Sequence, residues 1–149
     1  PALEAEEHNE VLSLRRELAF IQDYLAIEQI RFQDRLRVEV QIPADLMEQR
    51  VPSFILQPLV ENALKHGLSG RSGGGTLIVR ARKDSETLVL EVQDDGEGFV
   101  AGHEGVGLSN VRARIALLYK GAPQIDILGV PGRGTLVVLD IPLDGVEAS

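Results

Sequence analysis

Eleven consecutive residues, Leu56-Gln57-Pro58-Leu59-Val60-Glu61-Asn62-Ala63-Leu64-Lys65-His66, place a carboxylate, an amide, an ammonium and an imidazole along one helical stretch whose other positions, Gln57 apart, are apolar. Three glycine stations follow in order: Asp94-Asp95-Gly96-Glu97-Gly98, Gly105-Val106-Gly107-Leu108 and Gly132-Arg133-Gly134-Thr135. A polar helix ahead of glycine-rich turns restricts the chain to folds that bring loops and one helix around a flat, charged ligand. The pattern points to a nucleotide pocket.

The rest of the chain fills in the scaffold. Leu14, Leu18, Ile21, Leu25 and Phe32 recur at helical steps within Leu12 to Phe32, and Phe20, Tyr24 and Ile27 form a second stripe beside them. Two stripes fit two packing partners, or one broad core-facing surface. Leu36, Val38, Val40 and Ile42 alternate as in a strand that Pro43 ends. Pro52 and Ser53 offer a helix start and Gly67 a stop, with Pro58 bending the helix or sitting in its first turns. After a glycine- and serine-rich loop from Gly67 to Gly75, Thr76 to Arg82 and Thr87 to Gln93 read as a hairpin. Phe99 to Gly107 reads as a mobile glycine-rich segment, Leu108 to Lys120 as a helix, and Gln124 to Leu128 and Thr135 to Ile141 as two last strands. The sum is an α+β fold: a two-layer α/β sandwich, its mixed sheet covered by helices on one face, preceded by one long N-terminal helix.

Composition removes several function classes. With no cysteine, neither disulfides nor thiolate metal sites are available. The three histidines, His8, His66 and His103, lack metal-ligand spacing, and no G-x-S-x-G elbow is present. Apolar runs such as Thr135 to Leu139 are too short to span a bilayer, so this stretch of chain is expected to make no membrane contact. A net charge of −8 argues against nucleic acid as partner and favours a metal-neutralised phosphate ligand. The chain starts at Pro1 rather than Met, as a piece of a longer protein would.

Neither standard glycine fingerprint fits. No Gly-Lys-Ser/Thr tripeptide exists for a Walker loop, and Gly105-Val106-Gly107-Leu108 lacks the third glycine of a dinucleotide motif. A glycine pair opening a helix still offers free N–H groups to an anion, though such pairs also serve simply as turns. Asp94, at a strand end and followed by Gly96 and Gly98, can accept from the exocyclic amine of adenine, whereas guanine presents a carbonyl there. The same residues also suit an ordinary Asp-Gly turn. Asn62 and His66 are four apart, as are Glu61 and Lys65 on the neighbouring face. The Asn62 amide oxygen is a hard ligand suited to Mg²⁺, and Lys65 could reach a phosphate; Glu61 and Lys65 also fit a solvated ion pair, and His66 a helix-end cation.

In this order the motifs resemble the Bergerat (GHKL) ATP-binding fold of gyrase, heat-shock chaperones, MutL and histidine kinases. Tyr24-Leu25-x-Ile27-Glu28-x-x-Arg31-Phe32, Leu56 to Gly67 and Gly107-Leu108-Ser109-Asn110-Val111-Arg112 are similar to the LytS/YehU-type sensor histidine kinases, and the resemblance spans roughly Leu12 to Leu143. It implies ATP with Mg²⁺, Asn62 on the metal, Asp94 on adenine, and Gly96 and Gly98 lining the base. It also implies Gly105, Gly107 and Leu108 in the lid and phosphate-binding helix start, Lys65 and His66 near phosphate, and Thr135 near the base. Catalytic roles would fall to Asn62, with Glu61 and Lys65 beside it. The resemblance further implies a homodimeric, membrane-anchored kinase whose cytoplasmic portion includes this chain. Its γ-phosphoryl group would pass to a histidine on a phosphoacceptor helix and then to a response regulator. Residues 1–34 would be the remnant of the dimerisation and phosphoacceptor region, and residues 35–149 the ATP-binding catalytic domain.

Two departures qualify this. The family's acceptor motif, Asn-Pro-His-Phe-Leu-Phe-Asn, is absent, and His8 in Glu-Glu-His-Asn-Glu does not match it. Hydrolytic relatives carry a glutamate four residues before the metal-binding asparagine, where this chain has Pro58, which cannot act as a base. Phosphoryl transfer rests mainly on positioning and charge stabilisation and tolerates that loss. The expected protein is therefore a kinase domain that does not phosphorylate itself. A gyrase- or MutL-type ATPase using Glu61, or a non-enzymatic interaction module, are the alternatives.

Overall fold

The computed structural model describes residues 11–33, 35–68, 75–96, 112–113, 124–130 and 134–143. A short strand β1 (Val11–Ser13) pairs antiparallel with β3 (Arg50–Pro52), so the predicted helix start at Leu12 gives way to extended chain. Helix α1 (Leu14–Arg31) then begins with Ser13 as its cap: φ −70 and ψ 151 are non-helical, and the hydroxyl accepts from the Arg16 N–H at 3.3 Å. The first two orphan N–H groups, of Leu14 and Arg15, donate to the carbonyls of Gln49 and Met47 at 2.8 Å each. Gln33, at φ 54, ends the helix in a left-handed conformation.

The main sheet has five strands in the order β2-β4-β5-β7-β6, where β2 is Leu36–Gln41, β4 Gly75–Asp84, β5 Thr87–Asp94, β6 Gln124–Val130 and β7 Gly134–Pro142. β2 runs parallel to β4 and the remaining neighbours are antiparallel, which makes the sheet mixed as expected. The β4–β5 hairpin closes through Ser85, whose φ of 56 suits a tight turn.

Alternation assigns the two faces. Leu77, Val79 and Ala81 on β4, Leu88, Leu90 and Val92 on β5, and Val137, Leu139 and Ile141 on β7 join one buried cluster. Leu14, Leu18, Ile21 and Leu25 of α1 complete that cluster together with Leu56, Leu59 and Val60 of α2 (Leu56–Asn62). The other face is polar: Arg80 bonds Gln93 at 2.7 Å and Gln41 at 3.2 Å, and Arg82 bonds Glu91 at 3.0 Å. Helices thus cover one face and solvent the other, the two-layer α+β architecture read from the sequence.

The second stripe of α1 does not enter this core. Phe20 and Ile27 remain exposed, and Tyr24 is half-buried. Phe20 lies beside Phe54, with ring centroids 5.4 Å apart.

α2 starts later than Ser53 for a specific reason. Phe54 adopts φ 60, and Ile55, the residue before the helix, has α geometry with no side-chain cap. The cap comes instead from a different helix: the buried Glu17 carboxylate of α1 accepts from the Phe54 N–H with one oxygen and from the Leu56 N–H at 3.0 Å with the other. Pro58 is then the third residue of α2, in a first turn whose N–H groups have no intrahelical acceptor, so its missing N–H costs little.

Candidate functional site

The site is built around the end of β5, a strand on which α2 and the helical turn after it pack. Asp94 is the last residue of β5 and continues the inward-facing series Leu88, Leu90, Val92. Its side chain therefore points under the helices, and the residue is 4% exposed. The carboxylate Oδ1 accepts from the Gly96 N–H at 2.8 Å, so the aspartate turn foreseen as the simpler reading exists and fixes the acid's orientation. Directly opposite Asp94 in the ladder lies Thr135 on β7, also buried. Such opposed side chains stand roughly 4.5–5.5 Å apart at Cβ.

Gly134 is what permits this approach. Its φ is +110, and a Cβ built there would meet the Asp94 carbonyl oxygen at 2.1 Å and the Asp95 Cα at 2.9 Å. Only a residue without a side chain fits, so the glycine of the third station is a close-approach glycine. Asp95 fastens the same corner, accepting from the Thr76 N–H at 2.8 Å through Oδ1.

Asn62 closes α2, and the helix then widens to π geometry over Ala63–Leu68. This segment packs on β5 and β7. Insertions of this kind cluster at functional sites because they re-aim side chains. The four-residue face relations drawn for Asn62 with His66 and Glu61 with Lys65 assumed regular α geometry and are altered here. Glu61 accepts from Gln57 Nε2 at 3.0 Å, one turn back in α2, in place of the ion pair anticipated with Lys65. The His66 side chain, Gly98, Gly105, Gly107 and Leu108 lie outside the described residues, as do the segment 99–107 and most of the predicted helix from Leu108 to Lys120; Arg112 and Ala113 are helical.

Between α1 and α2 with its π extension lies a cleft of about 360 Å³ lined by Tyr24, Glu28, Arg31, Phe32, Glu61, Leu64 and Lys65. Its α1 side is a local network. Glu28 is buried, follows Tyr24 by one helical turn, and lies 3.5 Å from Arg31 Nη1. Burial first, and then the Glu28 and Glu61 carboxylates, push the Tyr24 phenol up to about 12, with Arg31 opposing. The phenol is thus a hydrogen-bond donor at neutral pH. The sequence signal for this network is the i,i+4 and i,i+3 spacing of Tyr24, Glu28 and Arg31 on one helix face.

Residues 48–145 match the family model described as histidine kinase-, DNA gyrase B-, and HSP90-like ATPase. The chain belongs to that family. Residues 2–36 of this ATPase-family domain also match the model described as histidine kinase. It is 35% identical over 136 residues to the sensor histidine kinase BtsS of Escherichia coli (strain K12), covering 90% of this chain and 24% of that protein. With sensor protein LytS of Staphylococcus haemolyticus (strain JCSC1435) it shares 39% over 150 residues, covering 90% of this chain and 25% of that one. The domain therefore spans about a quarter of the length of these relatives.

Among solved structures it is similar to the histidine kinase domain of the Erythrobacter litoralis EL346 blue-light activated histidine kinase. That pair has a TM-score of 0.70 and 25% identity, over 92% of this chain and 64% of that one. The catalytic domain of histidine kinase ThkA shares the fold, with a TM-score of 0.67 at 15% identity over 89% and 94% of the two chains. The fold expected from the motifs is thereby established, and the domain is of the ATP-binding, histidine-kinase catalytic kind. Among the described residues no helix is long and apolar enough to cross a membrane.

Proposed function

We propose that the domain binds Mg-ATP at the Asp94 corner and donates the γ-phosphoryl group to a histidine outside these residues, for onward transfer to a response regulator. The observation that carries this reading is the buried acid at the end of β5, paired in register with Thr135 and backed by the close approach of Gly134 to its backbone. A carboxylate accepts but cannot donate, which selects the exocyclic amine of adenine. A hydrogen bond to a charged group contributes about 1.5–3 kcal/mol, on the order of ten- to a hundredfold in affinity.

The described residues suit a metal that arrives with its nucleotide. Among them no group of three His, Cys, Asp or Glu side chains could hold an ion unaided. Mg²⁺ takes few protein ligands alongside phosphates and water, and the half-buried amide of Asn62 supplies one hard oxygen. When bound, the ion would neutralise phosphate charge. Lys65, exposed one turn beyond Asn62, would meet the phosphates, with His66 next to it. Gly96 and Gly98 would face the base, and Gly105, Gly107 and Leu108 would border the phosphates. In this reading residues 1–34 derive from the dimerisation region of a homodimeric kinase anchored in a membrane, and residues 35–149 form its catalytic domain on the cytoplasmic side.

Thermal unfolding with and without Mg-ATP tests the reading. At a nucleotide concentration 100-fold above Kd, linkage gives about 2.7 kcal/mol, or roughly 5–11 °C in Tm for a domain of this size. No shift at millimolar Mg-ATP would contradict it.

A further inference from the structure

The cleft between α1 and α2 does not belong to the adenine corner, yet Lys65 lines it and Asn62 follows directly on its Glu61. We propose that this cleft seats the phosphoacceptor imidazole, with Glu61 accepting the ring N–H while the opposite nitrogen faces the γ-phosphate. The inference rests on the Mg-ATP reading above and assigns the second substrate's site within it.

Three observations converge on this. The first is shape: Tyr24, Phe32 and Leu64 provide flat and apolar walls, and the volume suits one side chain with the head of a second ligand. The second is the state of the two carboxylates. Glu28 is already paired with Arg31 Nη1, so it serves the wall. Glu61 is half-buried, and Gln57 occupies only its Oε1. A second oxygen remains on the cleft-lining side chain to take a new donor. The third is placement. Lys65 lines the cleft from the π extension, and Asn62 directly follows Glu61 at the end of α2, so a ring bound by Glu61 lies close along the chain to the groups assigned to phosphate and metal.

The chemistry balances with the groups named. A neutral imidazole carries hydrogen on one nitrogen and a lone pair on the other. The lone pair forms the N–P bond as the bond from phosphorus to the bridging oxygen breaks, and that oxygen leaves with its electrons on ADP. Positive charge develops on the ring, and the Glu61 carboxylate stabilises it at the N–H and takes the proton. A glutamate on this face acts on an imidazole rather than on water, which accords with Pro58 standing where hydrolytic relatives place their base.

The test uses the kinase that carries this domain together with its acceptor histidine. Phosphorylation rates at saturating ATP and Mg-ATP dissociation constants are measured for the wild type, Glu61→Gln and Glu61→Asp. Loss of a positioned base predicts that Glu61→Gln lowers the rate about 100-fold or more. Its Kd should stay within about threefold of wild type, because the lost interaction is made only with the acceptor. Glu61→Asp should recover part of the rate. A Glu61→Gln rate within about threefold of wild type overturns the proposal. So does a parallel loss of ATP affinity, which would move Glu61 into the nucleotide site. Failure of the wild type itself to bind Mg-ATP would instead refute the underlying reading, before any variant is compared.

Discussion

Gly134 and Asp94 meet backbone to backbone: a single methyl at 134 would lie 2.1 Å from the Asp94 carbonyl oxygen, with φ at +110. The third glycine station therefore serves the strand end that carries the acid, and the two motifs, far apart in sequence, form one corner. Gly134→Ala should cost at least about 2 kcal/mol, because the clash is with backbone that has no rotamer to yield. Urea unfolding would read this, and a change below about 0.5 kcal/mol would show that the corner tolerates a side chain.

Glu17 joins α1 to the start of α2 by accepting from the N–H groups of Phe54 and Leu56. Glu17→Ala strands both donors at a buried junction, and each costs about 1–3 kcal/mol. The expected loss is therefore about 2–6 kcal/mol, with Glu17→Gln retaining one acceptor and losing less. Equal stability of the alanine variant and wild type would remove the tertiary cap from the account.

Tyr24 makes stability depend on alkaline pH. Its phenol is pushed up to about 12 from the ordinary value of 10.0. A raised value means that the folded state holds the proton more tightly, so this contribution is complete below pH 10 and is lost as pH rises from 10 to 12. Tyr24→Phe should flatten the stability curve across that window. An unchanged slope would show that the phenol titrates as in the unfolded chain.

Asp140 behaves in a related way on the polar face of the sheet. Burial, and then Asp126 beside it, raise its carboxyl above the usual range, while Arg82 opposes. The protonated form is favoured in the folded state, so its stabilising share is present in acid and lost as pH rises through the folded value. Asp140→Asn mimics the protonated form and should raise Tm at pH 7 but leave it unchanged in strong acid. A lower Tm at pH 7 would contradict that sign.

Local patterns made most of the scaffold legible. The alternation of Leu88, Leu90 and Val92, interrupted only by the apolar Val89, located both the strand and its buried face, and Asp94 could be placed on the same face by counting. The Leu14, Leu18, Ile21 and Leu25 stripe located the α1 core contact in the same way. What stayed hidden depends on partners distant in sequence. Ser53 looked like a cap, but the cap is Glu17, and no local spacing announces a carboxylate reaching across from another helix. The π segment after Asn62 likewise arises from packing on β5 and β7, so the helical-wheel faces of Glu61 and Lys65 were drawn on the wrong period. Of the candidate site residues, Asp94, Gly96 and Thr135 come together at one corner, and Glu61 and Lys65 line the cleft between α1 and α2.

The central claim, that Asp94 reads adenine, is tested most directly by calorimetric titration of the wild type and Asp94→Asn with Mg-ATP and Mg-GTP. The account predicts that wild type prefers ATP and that Asp94→Asn weakens ATP binding about tenfold or more while the variant stays folded. Equal ATP affinity in the two proteins, or wild-type binding of GTP as tight as ATP, would contradict it.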